Sequence, residues 1–230
     1  MNFTEKNVLQ ETLFSLYLRL NGYFVSGFIV HAPKGNTTEI DALAVRFPHH
    51  TEQAREVNPC NKLVISDDKV DFLICEVKGG NRRPQFNPAL RGNNEAMTSV
   101  LNRFGAFNND CTEELATKVS EAIQPESIRK FSSFPQVDID VNSKIRCILV
   151  VPDQNRPKTN PKPYIYGDDI LSYIWSCFRP IQNREACDVE YRHWNLWGEQ
   201  YKHLVEYFKD TRRETPGPIE DIYKHFDINV

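Results

Sequence analysis

Residues 144–151, Lys-Ile-Arg-Cys-Ile-Leu-Val-Val, form an almost uninterrupted apolar segment that stops at Pro152. A short apolar run of this length predicts a strand that is buried on both faces of a sheet, as in a parallel pairing. Helices must then cover both faces of that sheet, so the segment favours a layered α/β fold.

The remaining periodic segments fit this class. Apolar residues at helical spacing predict helices at 5–20, 92–107, 112–124 and 168–178. Alternating or apolar runs predict further strands at 22–31, 38–47 and 69–78. This order of elements predicts an α/β/α sandwich with a mixed central sheet.

The length of 230 residues allows one core domain with an appendage. We expect a core at residues 1–178 and a C-terminal helical extension at 179–230, packed on the core or on a dimer partner. The charges in the extension are mixed in sign, which favours burial of its apolar stripe over base stacking. The stripe consists of Trp194, Trp197, Tyr201, Leu204, Val205 and Phe208.

Acidic residues lie within two of the predicted strands. In the strand at 69–78, Glu76 and Lys78 point to one face and the intervening apolar residues to the other. In the strand at 38–47, simple alternation puts Asp41 on the same face as Glu39, Leu43, Val45 and Phe47. A carboxylate in an apolar strand is costly unless it is paired or binds a cation. The pattern therefore predicts a cation site with a lysine beside it, and the alternative is a surface ion pair of Glu76 and Lys78 on an edge strand.

Asp41 followed on another strand by Glu76-Val77-Lys78 resembles the motif of the PD-(D/E)XK, or restriction-endonuclease-like, nuclease superfamily. Many members also place a Glu on the first helix beside the metal, and Glu11 is the matching residue here. The resemblance covers the element order of roughly residues 1–178. Where the family usually has Pro before the Asp, this chain has Ile40.

The resemblance implies a metal-dependent endonuclease, a phosphodiester hydrolase that uses Mg²⁺ and in which Mn²⁺ can substitute. It implies Asp41, Glu76 and the carbonyl of Val77 as metal ligands, and Asp41, Glu76, Lys78 and Glu11 as catalytic residues. In this scheme Lys78 orients the attacking water or offsets charge on the phosphate. Defence against foreign DNA is the expected setting, with repair or recombination as a second.

The net charge of −3 excludes a surface that is basic all round, so contact with phosphates must be local. One basic segment follows the acidic strand directly and predicts nucleic-acid contacts by Arg82, Arg83 and Arg91. The expected substrate is DNA, with RNA left open, and a solvated charged loop is the alternative interpretation of this segment.

Other classes remain open on sequence alone. The fold can serve as a non-catalytic nucleic-acid-binding or assembly module, or it can resolve branched DNA junctions. The chain has no apolar stretch of about 18 residues and no signal-peptide pattern at its start, so we expect a cytoplasmic protein without a membrane span. Cleavage of two strands by one site per chain favours a homodimer, and the defence or repair setting leaves a partner protein open.

Overall fold

The structure is a computed structural model that describes eight segments of the chain: residues 5–31, 37–48, 57–64, 68–80, 83–130, 133–179, 198–210 and 212–228. Helices α1–α8 span Lys6–Leu20, Pro88–Gly92, Asn94–Phe104, Asn109–Ala122, Pro125–Lys130, Gly167–Phe178, Glu199–Lys209 and Ile219–His225. Strands β1–β6 span Phe24–His31, Thr37–Arg46, Val70–Val77, Gln136–Asp140, Ser143–Val151 and Tyr164–Tyr166. A 3₁₀ turn covers Asn61–Leu63.

The strands form one six-stranded mixed sheet, which confirms the predicted α/β class. Strand order is β1-β2-β3-β5-β4, and β6 also pairs with β5. The first three strands are antiparallel neighbours, whereas β3 and β5 run parallel. The parallel pairing predicted from the apolar run at 144–151 is therefore confirmed.

Two apolar clusters lie on opposite faces of the sheet, because successive strand residues alternate between them. Leu73 and Cys75 of β3 join the cluster that contains α1 and α6. Ile74, between them, joins the cluster that contains α3 and α4. The acidic positions of β3 are therefore fixed by the register of the buried residues beside them.

The described part of the C-terminal extension packs against the face that α1 and α6 cover. Eight residues of α7 and α8 are buried in that cluster: Tyr201, Leu204, Val205, Tyr207, Phe208, Ile219, Ile222 and Tyr223. Trp194 and Trp197 of the predicted stripe lie outside the described residues. No described helix is long and apolar enough to cross a lipid bilayer.

A buried ion pair joins β3 to β5 near the start of both strands. Asp71 is fully buried and accepts both bonds of a bidentate contact from Arg146, with 3.0 Å between Arg146 Nε and Asp71 Oδ1. Tyr23 donates to the same carboxylate, and Arg146 also donates to the carbonyl of Lys62. This network ties the 3₁₀ turn to the sheet.

Candidate functional site

The pairing of β2 with β3 stops one residue short of the acidic positions. The last antiparallel pair is Ala42 with Cys75, whereas the parallel pairing of β3 with β5 continues to Val77 and Val150. The next residues in the antiparallel register are Asp41 and Glu76. The two carboxylates therefore stand where β2 and β3 separate, at the carboxyl end of β3.

A β-bulge in β2 sets the direction of Asp41. Ser26 pairs with Leu43 and Phe28 pairs with Ile40, so the single residue Gly27 faces two residues of β2, Asp41 and Ala42. A bulge of this kind rotates the side chains that follow it. Ile40 and Leu43, three positions apart, accordingly lie in the same apolar cluster. The prediction of strict alternation through 38–47 is wrong for this reason.

Asp41 is thereby aimed at β3. Its Oδ2 accepts a hydrogen bond of 2.6 Å from the backbone N–H of Val77, the residue between Glu76 and Lys78. Because the donor is a main-chain group of β3, this bond fixes the carboxylate at the opening between the two strands.

Glu76 is fully buried and Lys78 is partly exposed. Lys78 Nζ makes an ion pair with Glu76 Oε2. The other oxygen, Oε1, accepts from the backbone N–H of Asn87 at 3.1 Å. The ion pair of Glu76 with Lys78 that the alternative predicted is present, but its placement at the surface of an edge strand is wrong, because β3 lies between β2 and β5 and Glu76 is buried.

Asn87 is a site residue that sequence analysis missed. Besides its N–H bond to Glu76, its Oδ1 accepts from Lys78 Nζ at 3.0 Å and its Nδ2 donates to the carbonyl of Glu39 at 3.3 Å. It thus links the two acidic strands. The signal for it was Asn87-Pro88, since Asn before Pro is typical of the start of a helix, and α2 begins at Pro88.

The carboxyl groups of the site repel one another in a partly dry environment. Burial raises the pKa of both Asp41 and Glu76, while the Lys78 ammonium and backbone N–H donors oppose the shift. Glu11, on α1, lies close enough to Asp41, Glu39 and Lys78 for their charges to shift its pKa. Burial, then the carboxylates of Asp41 and Glu39, raise the pKa of Glu11 to about 7. The Asp41 carboxylate therefore adds to the raised pKa of both Glu76 and Glu11, and the Lys78 ammonium opposes the shift in all three carboxyl groups.

The loop that leaves β3 is held by residues distant in sequence. Gly80 donates its N–H to Asp153, which also accepts a 2.6 Å bond from Tyr223 of α8. Gln10 of α1, itself buried, donates to the same Tyr223 hydroxyl. A Cβ at Gly79 would lie 2.8 Å from the side-chain oxygen of Gln10, so a larger residue would have to displace that side chain.

The three predicted nucleic-acid contacts have different surroundings. Arg82 lies outside the described residues. Arg83 is exposed next to the loop after β3. Arg91 is partly buried, and its Nε donates to the carbonyl of Phe86 at 2.9 Å, so part of its guanidinium stabilises the approach to α2.

Hard oxygen donors suit Mg²⁺, and the site offers them at Asp41 and Glu76. In the side-chain arrangement of the described residues, no three His, Cys, Asp or Glu groups come together closely enough to hold a metal ion. Three of the four carboxylate oxygens are engaged: Glu76 Oε2 by Lys78, Glu76 Oε1 by the backbone N–H of Asn87, and Asp41 Oδ2 by that of Val77. A cation at the buried Oε2 would take the place of the Lys78 ammonium, which is partly exposed and can turn toward solvent.

Comparison of the chain with protein-family models, with curated proteins and with solved structures gives no match.

Proposed function

We infer that this protein is a Mg²⁺-dependent endonuclease with a restriction-endonuclease-like core, and that its substrate is DNA. One observation carries the proposal: a bulge turns Asp41 toward Glu76 and Lys78 at the open end of an internal strand. A purely structural Glu at position 76 would gain nothing from a second carboxylate beside it, since the pair raises the cost of burial.

Asp41 and Glu76 would hold the metal, with the Val77 carbonyl as a third ligand by the family resemblance. When bound, Mg²⁺ supplies positive charge beside the phosphate and makes water more acidic. The removal of a carboxylate would cost several kcal/mol of transition-state stabilisation, or roughly a thousandfold in rate.

Lys78 has the position of a group that contacts substrate. Its ammonium is partly exposed and is held between Glu76 and Asn87. Once Glu76 binds a cation, the ammonium is free to turn toward a phosphate oxygen or a water, and Asn87 keeps it nearby. Glu11, with a pKa of about 7, can accept or release a proton at neutral pH beside Asp41.

The exposed Arg83 supports a substrate path along the loop after β3. A phosphate that approaches Lys78 along this loop would pass Gly79 and Gly80, beside which lie the side chains of Gln10 and Asp153. Arg82 and Arg91 belong to the same proposal. Two copies of the chain would place one site on each strand of a duplex, so a homodimer is the proposed active form.

A cleavage assay tests the function. Supercoiled plasmid, linear duplex, a four-way junction and single-stranded RNA are incubated with the purified protein and Mg²⁺, Mn²⁺ or EDTA. We expect nicking or linearisation of plasmid with either metal and none with EDTA. Cutting of the junction alone would identify a junction-resolving enzyme, and binding without cutting would identify a non-catalytic module. Preferred cutting of RNA would change the substrate but not the chemistry.

A setting in defence against foreign DNA, or in repair, rests on the resemblance to the nuclease superfamily. The proposed location is the cytoplasm, where both activities meet their substrate.

A further inference from the structure

A second polar feature of the molecule is a cavity of about 350 Å³ at the edge of the sheet. It opens where β4 and β6 share one side of β5. β4 pairs with the first half of β5 and β6 with its last three residues, and Cys147 N–H donates to the Pro135 carbonyl at the junction. The gap between the two short strands leaves room for a ligand.

Cations dominate the lining of this cavity. Five basic residues line it, and no described acidic residue does: Lys62, Lys144, Arg146, Arg156 and Lys162. Like charges repel at this density, so such a cluster is costly unless anions balance it. The charge pattern is the reverse of that at the acidic site.

Internal acids neutralise only part of the cluster. Asp71 is taken by Arg146. Asp169 is shared, because it pairs with Lys62 and also lies 3.7 Å from Arg156. Lys144 and Lys162 form no ion pair with a carboxylate of the described residues. Burial and the Arg146 charge lower the pKa of Lys144, while the Asp71 and Asp138 carboxylates oppose the shift.

The cavity is separate from the acidic site. Arg146 pairs with Leu73, three residues before Glu76, which is about 10 Å along the strand. Leu73 also belongs to the face that α1 covers, whereas Glu76 shares the face of Ile74. A phosphate bound beside Lys144 and Arg146 therefore lies on the opposite face of the sheet from Glu76.

Apolar residues complete the wall beside the cations, among them Phe134, Pro161 and Pro163. A small-molecule site combines an apolar wall with a few convergent polar groups in a volume of roughly 300–1,000 Å³. We propose that the cavity binds a small molecule with several phosphate groups, of the nucleoside polyphosphate class. The phosphates lie between Lys144, Lys162 and Arg156, and the base lies against the apolar wall.

Isothermal titration calorimetry on the full chain in EDTA tests this site, since EDTA removes any metal from the acidic site. The probes are ATP, inorganic tripolyphosphate, AMP and adenosine. We expect ATP and tripolyphosphate to bind, AMP to bind more weakly and adenosine not to bind. The double variant Lys144→Gln/Lys162→Gln should weaken ATP affinity at least tenfold. Lys162→Gln alone should weaken it less, because it removes only one of the two charges. Since Lys162 is exposed, the single variant should keep the fold.

Lys158→Gln is the matched control, because it removes the same charge from the same loop outside the cavity lining. Unchanged ATP affinity in this control, with loss in the double variant, supports the site. The proposal is overturned if wild type binds no probe at millimolar concentration, or if the control weakens ATP as much as the double variant does. It is also overturned if a short DNA duplex displaces ATP from the wild type at lower concentration than ATP itself binds. These outcomes do not depend on nuclease activity.

Discussion

The carboxylate of Asp41 accepts a 2.6 Å hydrogen bond from the backbone N–H of Val77, which lies between Glu76 and Lys78 on the neighbouring strand. Regular antiparallel pairing would satisfy that N–H with a main-chain carbonyl. Here the pairing ends at Ala42 and Cys75, and a side chain takes over. The bond therefore converts the end of a strand pair into a fixed position for a second carboxylate.

Lys78→Met should abolish cleavage but leave metal binding intact, because a protonated lysine offers no ligand atom. The variant leaves Glu76 buried without its ion-pair partner, so its melting temperature should fall in EDTA and recover when Mn²⁺ is added. Calorimetry with Mn²⁺ and thermal unfolding measure both effects. Lys69→Met is the control, because Lys69 is partly exposed and its Nζ lies 3.8 Å from the carboxylate of Asp138. A folded Lys78→Met protein that no longer binds Mn²⁺ would assign Lys78 a structural role.

Glu11 should make the metal-free protein less stable as the pH rises. Its pKa is raised from an ordinary value near 4.5 to about 7, so between these values the folded chain keeps a proton that the unfolded chain has lost. The folded state binds more protons, and the free energy of unfolding attributable to this group falls as pH increases from 4.5 to 7. Glu11→Gln should remove that slope and raise the melting temperature at pH 7.5 in EDTA. An identical pH dependence in wild type and variant would show that burial and the neighbouring carboxylates do not raise the pKa of Glu11.

Tyr223→Phe should lower activity more than stability accounts for. The change removes the hydroxyl that donates to Asp153, which in turn holds Gly80 next to Lys78. Tyr201→Phe is the matched control. Tyr201 lies in the same extension, and its hydroxyl makes a 2.7 Å hydrogen bond with Ser15 of α1, away from the loop at Gly80. Each variant should lose about 1 kcal/mol of stability, and only Tyr223→Phe should reduce kcat several-fold with KM unchanged. Equal effects on kcat in the two variants would contradict a positioning role.

Asp71→Asn should be the most destabilising of these changes, at about 3–5 kcal/mol, because it leaves the buried Arg146 without its counter-charge. Chemical denaturation measures the loss. The double variant Asp71→Leu/Arg146→Met should recover most of it, since it removes both charges together. A double variant as unstable as the single one would show that the ion pair does more than neutralise charge.

Sequence patterns located those helices and strands whose conformation is determined by residues within the same segment. The helix predicted at 5–20 is Lys6–Leu20, and the strands predicted at 69–78 and 144–151 are Val70–Val77 and Ser143–Val151. Periodicity and apolar runs are local signals, so they locate such elements well.

Features that depend on distant partners were missed. The bulge at Asp41 exists only relative to the register of β1, and the roles of Asp71 and Asn87 depend on contacts that alternation within one strand does not reveal. Strand β4 was not predicted either, although Gln136–Asp140 alternates polar and apolar residues, which is the local pattern of a half-buried strand. Here a local signal was present and was overlooked.

Cleavage of supercoiled plasmid by wild type, Asp41→Asn and Glu76→Gln in Mg²⁺ tests the central claim most directly. Both substitutions keep the size of the side chain and remove only the charge, so the fold is retained and can be checked by thermal unfolding. The account predicts metal-dependent cutting by wild type and a loss of about a thousandfold in each variant. Cutting by folded Asp41→Asn or Glu76→Gln at the wild-type rate would contradict it.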